Sequence, residues 1–206
     1  MRILVACEYS GTVRDAFKAK GHDAWSCDIL PTESPGNHIQ GDVIEILNDG
    51  WDMMIGHPPC TYISYVATRV WSDKGRVWKR LDALKFFAKL WDAPIEKICL
   101  ENPKGCASPT IAKYSQEIHP YYFGDREMKQ TWLWLKNLPN LVHNGQDGLF
   151  DKKTHTKKPK PYKFTKTGKP VYFIDNAKLG HSGKEWGKIR SKFWPGIADA
   201  MADQWG

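Results

Sequence analysis

Apolar runs and amphipathic stretches take turns along this chain, and that alternation limits the fold more than any other feature of the sequence. "MRILVAC" is a short apolar run that ends in the polar turn "EYSG" and gives way to the amphipathic "TVRDAFKAKG". That pattern predicts strand, loop and helix, with Gly21 as the helix stop. "HDAWSCDIL" predicts a second strand ending at Asp28, and "WDMMIG" a third that runs directly into His57-Pro58-Pro59-Cys60. Helical spacing of Val77, Leu81, Leu84, Ala88 and Trp91 predicts a helix with one buried face over "RVWKRLDALKFFAKLWDA". "EKICLENP" returns as a strand that stops at Asn102-Pro103, because proline brings no N–H to a central ladder. "QTWLWLKNLP" reads as a further strand, and Pro195 opens a terminal helix that turns Ile197, Ala200 and Met201 inward. Strands alternating with helices make βαβ units, so the expected fold is α/β with a mostly parallel sheet covered on both faces.

Open α/β sheets bind ligands outside the carboxyl ends of their strands. Glu8, Asp28, the Cys60 loop and Glu101 all fall at such ends and are expected to converge. Two prolines directly before a cysteine fix two φ angles and hold the loop that carries the sulfur. A thiolate aimed from such a loop can attack an electrophilic carbon. Glu101 ends its strand where a part-buried carboxyl is expected to have a raised pKa and to act as an acid near neutrality. A buried, inert thiol is the expected state of Cys7, Cys27, Cys99 and Cys106.

Bulk properties remove several alternatives. The 206 residues suit one well-buried domain, and 41% hydrophobic with 26% charged residues is an ordinary globular composition. No apolar run approaches a membrane span, and the opening residues turn polar too soon for a signal peptide, so a cytoplasmic location is expected. Five cysteines without framework spacing fit a reducing compartment, and neither they nor the histidines show metal-ligand spacing, so no metal is expected. The net charge of +7 favours a polyanionic partner. Much of it sits in "DKKTHTKKPKPYKFTKTGKP", where no acid follows Asp151 until Asp175. This reads as an extended loop, a basic excursion at about 141–181 from a single domain spanning 1–206. Lys157, Lys158, Lys160 and Lys163 would contact phosphates, and Tyr162 and Phe164, interleaved with them, would stack on bases.

Taken together, "GHPPCTYIS", "LENPKG" and "VACEYSGTVRDAF", with "WSCDIL" and "QGDVIEI" in the right order, resemble the DNA (cytosine-5) methyltransferases, especially a compact bacteriophage type. The similarity runs from Arg2 to about Leu138 and returns weakly in "PGIADAMADQW". The resemblance implies a Rossmann-like S-adenosylmethionine-dependent methyltransferase fold and transfer of a methyl group from S-adenosyl-L-methionine to C5 of cytosine in DNA. It implies that Cys60 attacks C6 of the base, that Glu101 donates a proton at N3 and that Asn102 braces the Cys60 loop. Lys129 falls at the first arginine of the family's later basic motif. Tyr9, Ser10 and Gly11 would wrap the methionine part of the cofactor, Asp28 would take the ribose hydroxyls and Asp42 the adenine amino group, with Pro58 lining the same site. Catalysis on the base requires that it leave the duplex or come single-stranded.

The chain also departs from that family. Cys7 stands where an acid is usual, Val13 and Arg14 replace later glycines, Thr61 replaces a glutamine, and Thr131 replaces the second arginine of the basic motif. Only about Leu141 to His181 is left for target recognition. A catalytically degenerate methyltransferase fold acting as a nucleic-acid-binding or decoy module therefore stays open. An amino-methyltransferase ranks third, because His57 and Cys60 match neither end of its usual acid or amide, Pro-Pro, aromatic pattern.

Overall fold

A computed structural model describes residues 1–143, 158–172 and 192–206. Its centre is a seven-stranded sheet of β1 (Arg2–Ala6), β2 (Asp23–Asp28), β3 (His38–Gln40), β4 (Met53–Gly56), β5 (Lys97–Pro103), β6 (Gln116–Ile118) and β7 (Thr131–Lys136). The spatial order is β3-β2-β1-β4-β5-β7-β6. Strands β1 to β5 pair in parallel, and β7 runs antiparallel to both β5 and β6. The expected α/β fold with a mostly parallel sheet is therefore present. The chain builds outward from β1 to β3 on one side and then returns to place β4 on the other. Ala6 pairs with Gly56 at that reversal, the topological switch point where the carboxyl ends of the two halves part.

Period-two alternation divides the core between the two faces. Ile3, Val5, Met53, Ile55, Cys99 and Leu133 pack beneath α1 (Thr12–Ala19) and the C-terminal helix α4 (Pro195–Trp205). Leu4, Ala6, Met54, Ile98, Leu100 and Trp134 pack on the other face, against α2 (Lys74–Trp91) and the short α3 (Ala107–Thr110). Phe87 of α2 meets Trp134 edge-on, with ring centroids 5.0 Å apart, which adds about 1 kcal/mol to the area buried.

The α2 helix forms as expected but buries a different face. Phe87 and Leu90 are fully buried, whereas Val77 and Leu81 are exposed and Trp78 is 70% exposed. Length explains this. Eighteen helical residues rise about 27 Å while the four residues of β4 cover about 13 Å, so the first half of α2 overhangs the carboxyl edge of the sheet. Helix α4 likewise buries Ile197, Ala198, Met201, Ala202 and Trp205, with Ala200 only half-buried.

Residues 158–172 of the basic excursion form more than an extended loop. Within its described part, β8 (Lys163–Phe164) and β9 (Pro170–Val171) form an antiparallel hairpin. The turn is closed by Thr165 N donating to Lys169 O at 2.8 Å and Gly168 N to Thr165 O at 3.0 Å. Gly168 takes a positive φ of 75° there, which explains why "KTGK" produces a turn that two-residue strands did not announce. Among the described residues no helix is long and apolar enough to cross a membrane.

Candidate active site

The Cys60 loop and Glu101 leave from neighbouring strands. Strand β4 ends at Gly56, opposite Leu100, so β5 continues three residues past it, as Glu101, Asn102 and Pro103. The space beside that overrun is filled by the turn His57-Pro58-Pro59-Cys60. Asn102 Nδ2 donates to Pro58 O at 2.6 Å in a buried bond, and His57 N donates to Ala6 O at 2.9 Å. Cys60 O then accepts from Ile63 N at 3.2 Å and Ser64 N at 3.0 Å, which turns the chain back toward β5. There Cys106 N donates to Ile63 O at 2.9 Å and Tyr65 N to Lys104 O at 3.1 Å. Gly105 lies so close to this seam that a Cβ would collide with Ile63 O. Both motif loops are thus clamped into one unit by backbone bonds, and Cys60 is left half-buried within it.

Alternation along β5 sends its last residues to opposite faces. Asn102, opposite Trp132, falls on the α2 side with its brace, and Glu101, opposite Leu133, on the α4 side. On that side His57 Nδ1 lies 3.4 Å from Glu101 Oε2, both side chains nearly buried. Lys129 adds a positive charge from the segment before β7, and its ammonium sits 4.5 Å over the Trp194 ring. Phe193 covers His57 with ring centroids 4.5 Å apart. Three buried polar atoms of this unit have no partner: His57 Nε2, Glu101 Oε1 and Asn102 Oδ1.

The sign of the Glu101 shift corrects the sequence expectation. Burial pushes its carboxyl up, but the His57 hydrogen bond, the Lys129 charge and the His57 charge outweigh burial and hold it below its ordinary range. The sequence showed the strand end and not the cations beside it. A carboxylate can only accept, so His57 Nδ1 carries the shared proton. Of the other cysteines, Cys27, Cys99 and Cys106 are buried as expected, whereas Cys7 is half-buried. Burial pushes the thiols of Cys7, Cys99 and Cys106 up, and that of Cys27 to about 11. No disulfide joins any of the five.

The β1–β3 half of the carboxyl edge is built differently. Glu8 does not join Cys60 and Glu101. It is buried, and its Oε1 accepts from Val13 N at 2.7 Å and its Oε2 from Arg14 N at 3.2 Å, which caps α1. Gly11 precedes the helix at φ 77°, over the Arg14 guanidinium. Arg14 is fully buried and donates to Asp15 Oδ1 at 2.8 Å, Ser26 Oγ at 3.1 Å and Ser34 O at 3.1 Å. It ties the first turn to the β2–β3 loop. Tyr9 O completes the tie by accepting from Glu33 N at 2.9 Å and Thr32 Oγ1 at 3.1 Å. Ser10 Oγ lies 3.1 Å from Thr12 Oγ1. Asp28 Oδ1 accepts from Leu30 N at 2.9 Å, and Asp42 Oδ1 from Ile44 N at 3.0 Å. Both carboxylates lie near Cys7, whose thiol they push up after burial does. Cys7 itself adopts φ 59°, a left-handed conformation at the end of β1 that non-glycine residues rarely take.

Of the nucleic-acid candidates, Lys157 lies outside the described residues. Lys158, Lys160 and Lys163 are exposed, and Phe164 is exposed beside them. Tyr162 corrects the stacking expectation, because its hydroxyl donates to Glu127 Oε1 at 2.7 Å and anchors the hairpin to the body. Thr131 is fully buried in β7, within the sheet, and cannot reach a substrate. A basic and aromatic surface that the sequence did not single out lies on the α2 overhang. Arg76 donates to Thr61 O at 3.3 Å and covers Tyr62 at 4.9 Å, with Lys79 5.6 Å from the same ring. The sequence signal was the run of Arg76, Lys79 and Arg80 at helical spacing in the helix that follows Cys60 and Tyr62. Among the described residues no cluster of His, Cys, Asp or Glu is suited to a metal.

No protein-family model matches the chain, and no curated protein matches it. A protein encoded within a prophage, from E. coli and assigned as a DNA modification methyltransferase, superposes with a TM-score of 0.42 at 15% identity, over 88% of this chain and 55% of its own. WbdD, solved with the kinase inhibitor LY294002, superposes with a TM-score of 0.39 at 12% identity, over 68% of this chain and 37% of its own. The chain thus spans about half the length of the first and less of the second. Likenesses of this size carry no argument about chemistry, which rests on the side chains alone.

Proposed function

We propose that the protein transfers a methyl group from S-adenosyl-L-methionine to C5 of cytosine in DNA through a covalent bond to Cys60. The observation that carries this reading is the clamp between two strand ends, which holds the loop of the half-buried Cys60 against the strand end that carries Glu101, a buried carboxyl with an unpartnered oxygen. A pyrimidine ring needs both at once. As the Cys60 sulfur bonds to C6, the ring electron pair moves toward N3, and the proton that N3 takes comes from Glu101 Oε1. The O–H bond breaks, the N3–H bond forms, and C5 becomes nucleophilic. The thiol proton leaves to solvent as the C6–S bond forms. Once C5 has taken the methyl group that the cofactor would supply, loss of the C5 proton to solvent, return of the N3 proton to Glu101 and cleavage of the C6–S bond restore aromaticity and the Cys60 thiolate. Because Glu101 is held below its ordinary range without a base, the carboxyl must gain its proton as the base displaces water from the pair.

The β1–β3 edge fits the cofactor. Asp28 and Asp42 stand at adjacent strand ends, and each has one oxygen engaged by the backbone, so the second oxygen of each can accept from a ribose diol or an adenine amino group. The turn Tyr9-Ser10-Gly11 lies at the switch point beside them, and Pro58 is buried across from it. When bound, S-adenosyl-L-methionine supplies an electrophilic methyl group on a sulfonium. Glu8 occupies the first N–H groups of α1, so a ligand carboxylate has to be held by other donors of the turn. DNA phosphates would meet Lys158, Lys160 and Lys163 on the hairpin and Arg76 and Lys79 on the overhang, with exposed Trp78 and Phe164 open to stacking.

A second reading, a methyltransferase-like fold that binds nucleic acid without catalysis, is favoured by the direct bonding of Tyr9 O to the β2–β3 loop. One experiment separates the two. DNA carrying 5-fluorocytosine, offered as a mixed-sequence pool in single- and double-stranded form, should form a denaturation-resistant adduct, because fluorine at C5 does not leave as a proton. The adduct should require S-adenosyl-L-methionine and vanish in Cys60→Ala. Glu101→Gln should slow it about 10²–10⁴-fold. Binding of cofactor and DNA without any adduct would select the binding module.

A further inference from the structure

His57 enters the proposed reaction only as a neighbour, yet its surroundings are those of a working group. Its backbone N is fixed to Ala6 O, its ring is covered by Phe193, and its Nδ1 reaches Glu101 Oε2. The far nitrogen, Nε2, is buried without a partner, and so is the far oxygen of Glu101. Burying two polar atoms of one pair unsatisfied is costly unless a ligand completes them. We infer that His57 is a positioning residue for Glu101: it clamps Oε2, leaves Oε1 to face the base, and steadies the carboxylate that remains when the proton passes to N3. The role in turnover rests on the reading of the site as a cytosine methyltransferase; the clamp itself does not.

Geometry gives this role a direction. An Nδ1–H···Oε2 bond is weak while Glu101 is neutral and strengthens as negative charge develops on the carboxyl. His57 therefore lowers the cost of proton donation and fixes which oxygen donates. Among the described residues the other groups facing the pair are Lys129, which also favours the carboxylate, and the Cys99 thiol two residues back on β5; Phe193 presents an uncharged ring. The reactive form carries its proton on Oε1, so activity is present below the Glu101 value of the base-bound protein and is lost as pH rises through it. Removing His57 withdraws two of the influences that lower that value and moves the loss to higher pH.

The test uses two variants of the full chain. His57→Phe keeps a ring against Phe193 and removes the donor. His57→Asn places an amide N–H where Nδ1 stood and preserves the hydrogen bond without the charge. Carbon-13 titration of the Glu101 carboxyl, identified by its absence in Glu101→Gln, reads the clamp without any turnover. The midpoint should rise in His57→Phe and return most of the way in His57→Asn. The alkaline limb of the 5-fluorocytosine adduct rate should move in the same direction, and its plateau should fall about tenfold in His57→Phe, in the maximal trapping rate and not in the half-saturating DNA concentration. A midpoint that neither variant moves overturns the inference, and so does a limb that stays put while the midpoint moves. If wild-type protein forms no adduct at any pH, the cytosine reading fails, while the titration still decides whether His57 clamps Glu101.

Discussion

The two halves of the sheet's carboxyl edge handle their polar groups in opposite ways. Around β4 and β5 the backbone is tightly bonded, yet His57 Nε2, Glu101 Oε1 and Asn102 Oδ1 are buried without partners. Around β1 to β3 the side chains answer one another: Glu8 caps α1, Arg14 serves the β2–β3 loop, and Asp42 caps the turn that follows β3. The first half is rigid in its main chain and incomplete in its side chains, which is the state of a site waiting for hydrogen-bond partners. The second is complete by itself, so a ligand there must use the oxygens left over on Asp28 and Asp42. One half has its stability withheld for a ligand, and the other spends its polar groups on its own fold.

The largest effect that could break this comparison is at Arg14. Replacement by Met keeps the length and removes the guanidinium bonds to Ser26 Oγ, Ser34 O and the Asp15 carboxylate, leaving Ser34 O with Thr32 Oγ1 and Asp15 with Ser34 Oγ. Three hydrogen bonds from a fully buried charged donor are together worth about 3–5 kcal/mol, measured by urea denaturation. A loss under about 1 kcal/mol would mean that Arg14 does not hold the β1–β3 half together.

Gly105→Ala probes the other half. The new Cβ meets Ile63 O, backbone that is itself bonded to Cys106 N, so the seam between the Cys60 loop and β5 must open. Overpacking of this kind costs about 2–3 kcal/mol, less than Arg14→Met. The adduct rate should nevertheless fall further than stability does, because Cys60 and Glu101 are carried on the two sides of that seam. Equal losses in stability and rate would show the seam to be a general packing feature.

Much of the sheet was legible because each strand carries a signal of its own. β1, β2, β4, β5 and β7 are apolar runs with turn residues at their ends, and they fall where the pattern puts them. β3 and β6 have three residues each, too few to show a period. The antiparallel direction of β7 is set by long-range pairing with β5, which local pattern does not carry. In the site, Cys60, Glu101 and Asn102 were readable from motif residues, and the fold draws them together. The state of Glu101 was not, because His57 and Lys129 approach it from other parts of the chain. Arg14 reads as a missing glycine in the sequence; only the fold reveals a strut that Gly11 must accommodate. Helical spacing found α2 but not its buried face, because spacing does not say where the sheet beneath a helix ends.

The smallest effect on the fold, and the finest test of the comparison, concerns the hairpin at the rim. Lys158, Lys160 and Lys163 are exposed, and Lys158 lies 4.7 Å over the Tyr172 ring. Changing all three to Gln should leave the urea midpoint almost unmoved, since exposed charges contribute little to stability. Its effect should appear in DNA binding measured against salt. Each lost phosphate contact flattens the slope of log affinity against log salt by about one unit, equally for unrelated sequences. Arg76→Gln with Lys79→Gln is the matching change on the α2 overhang, beside Cys60. A phosphate path that runs from the hairpin to the thiol predicts that both sets flatten the slope and that the effects add, as they do for sites that act independently. If only the overhang pair matters, DNA approaches from the β4–β5 side alone and the hairpin is a solvated appendage anchored by Tyr162. If only the lysines matter, the overhang is a protein-facing surface, and the base reaches Cys60 without touching α2.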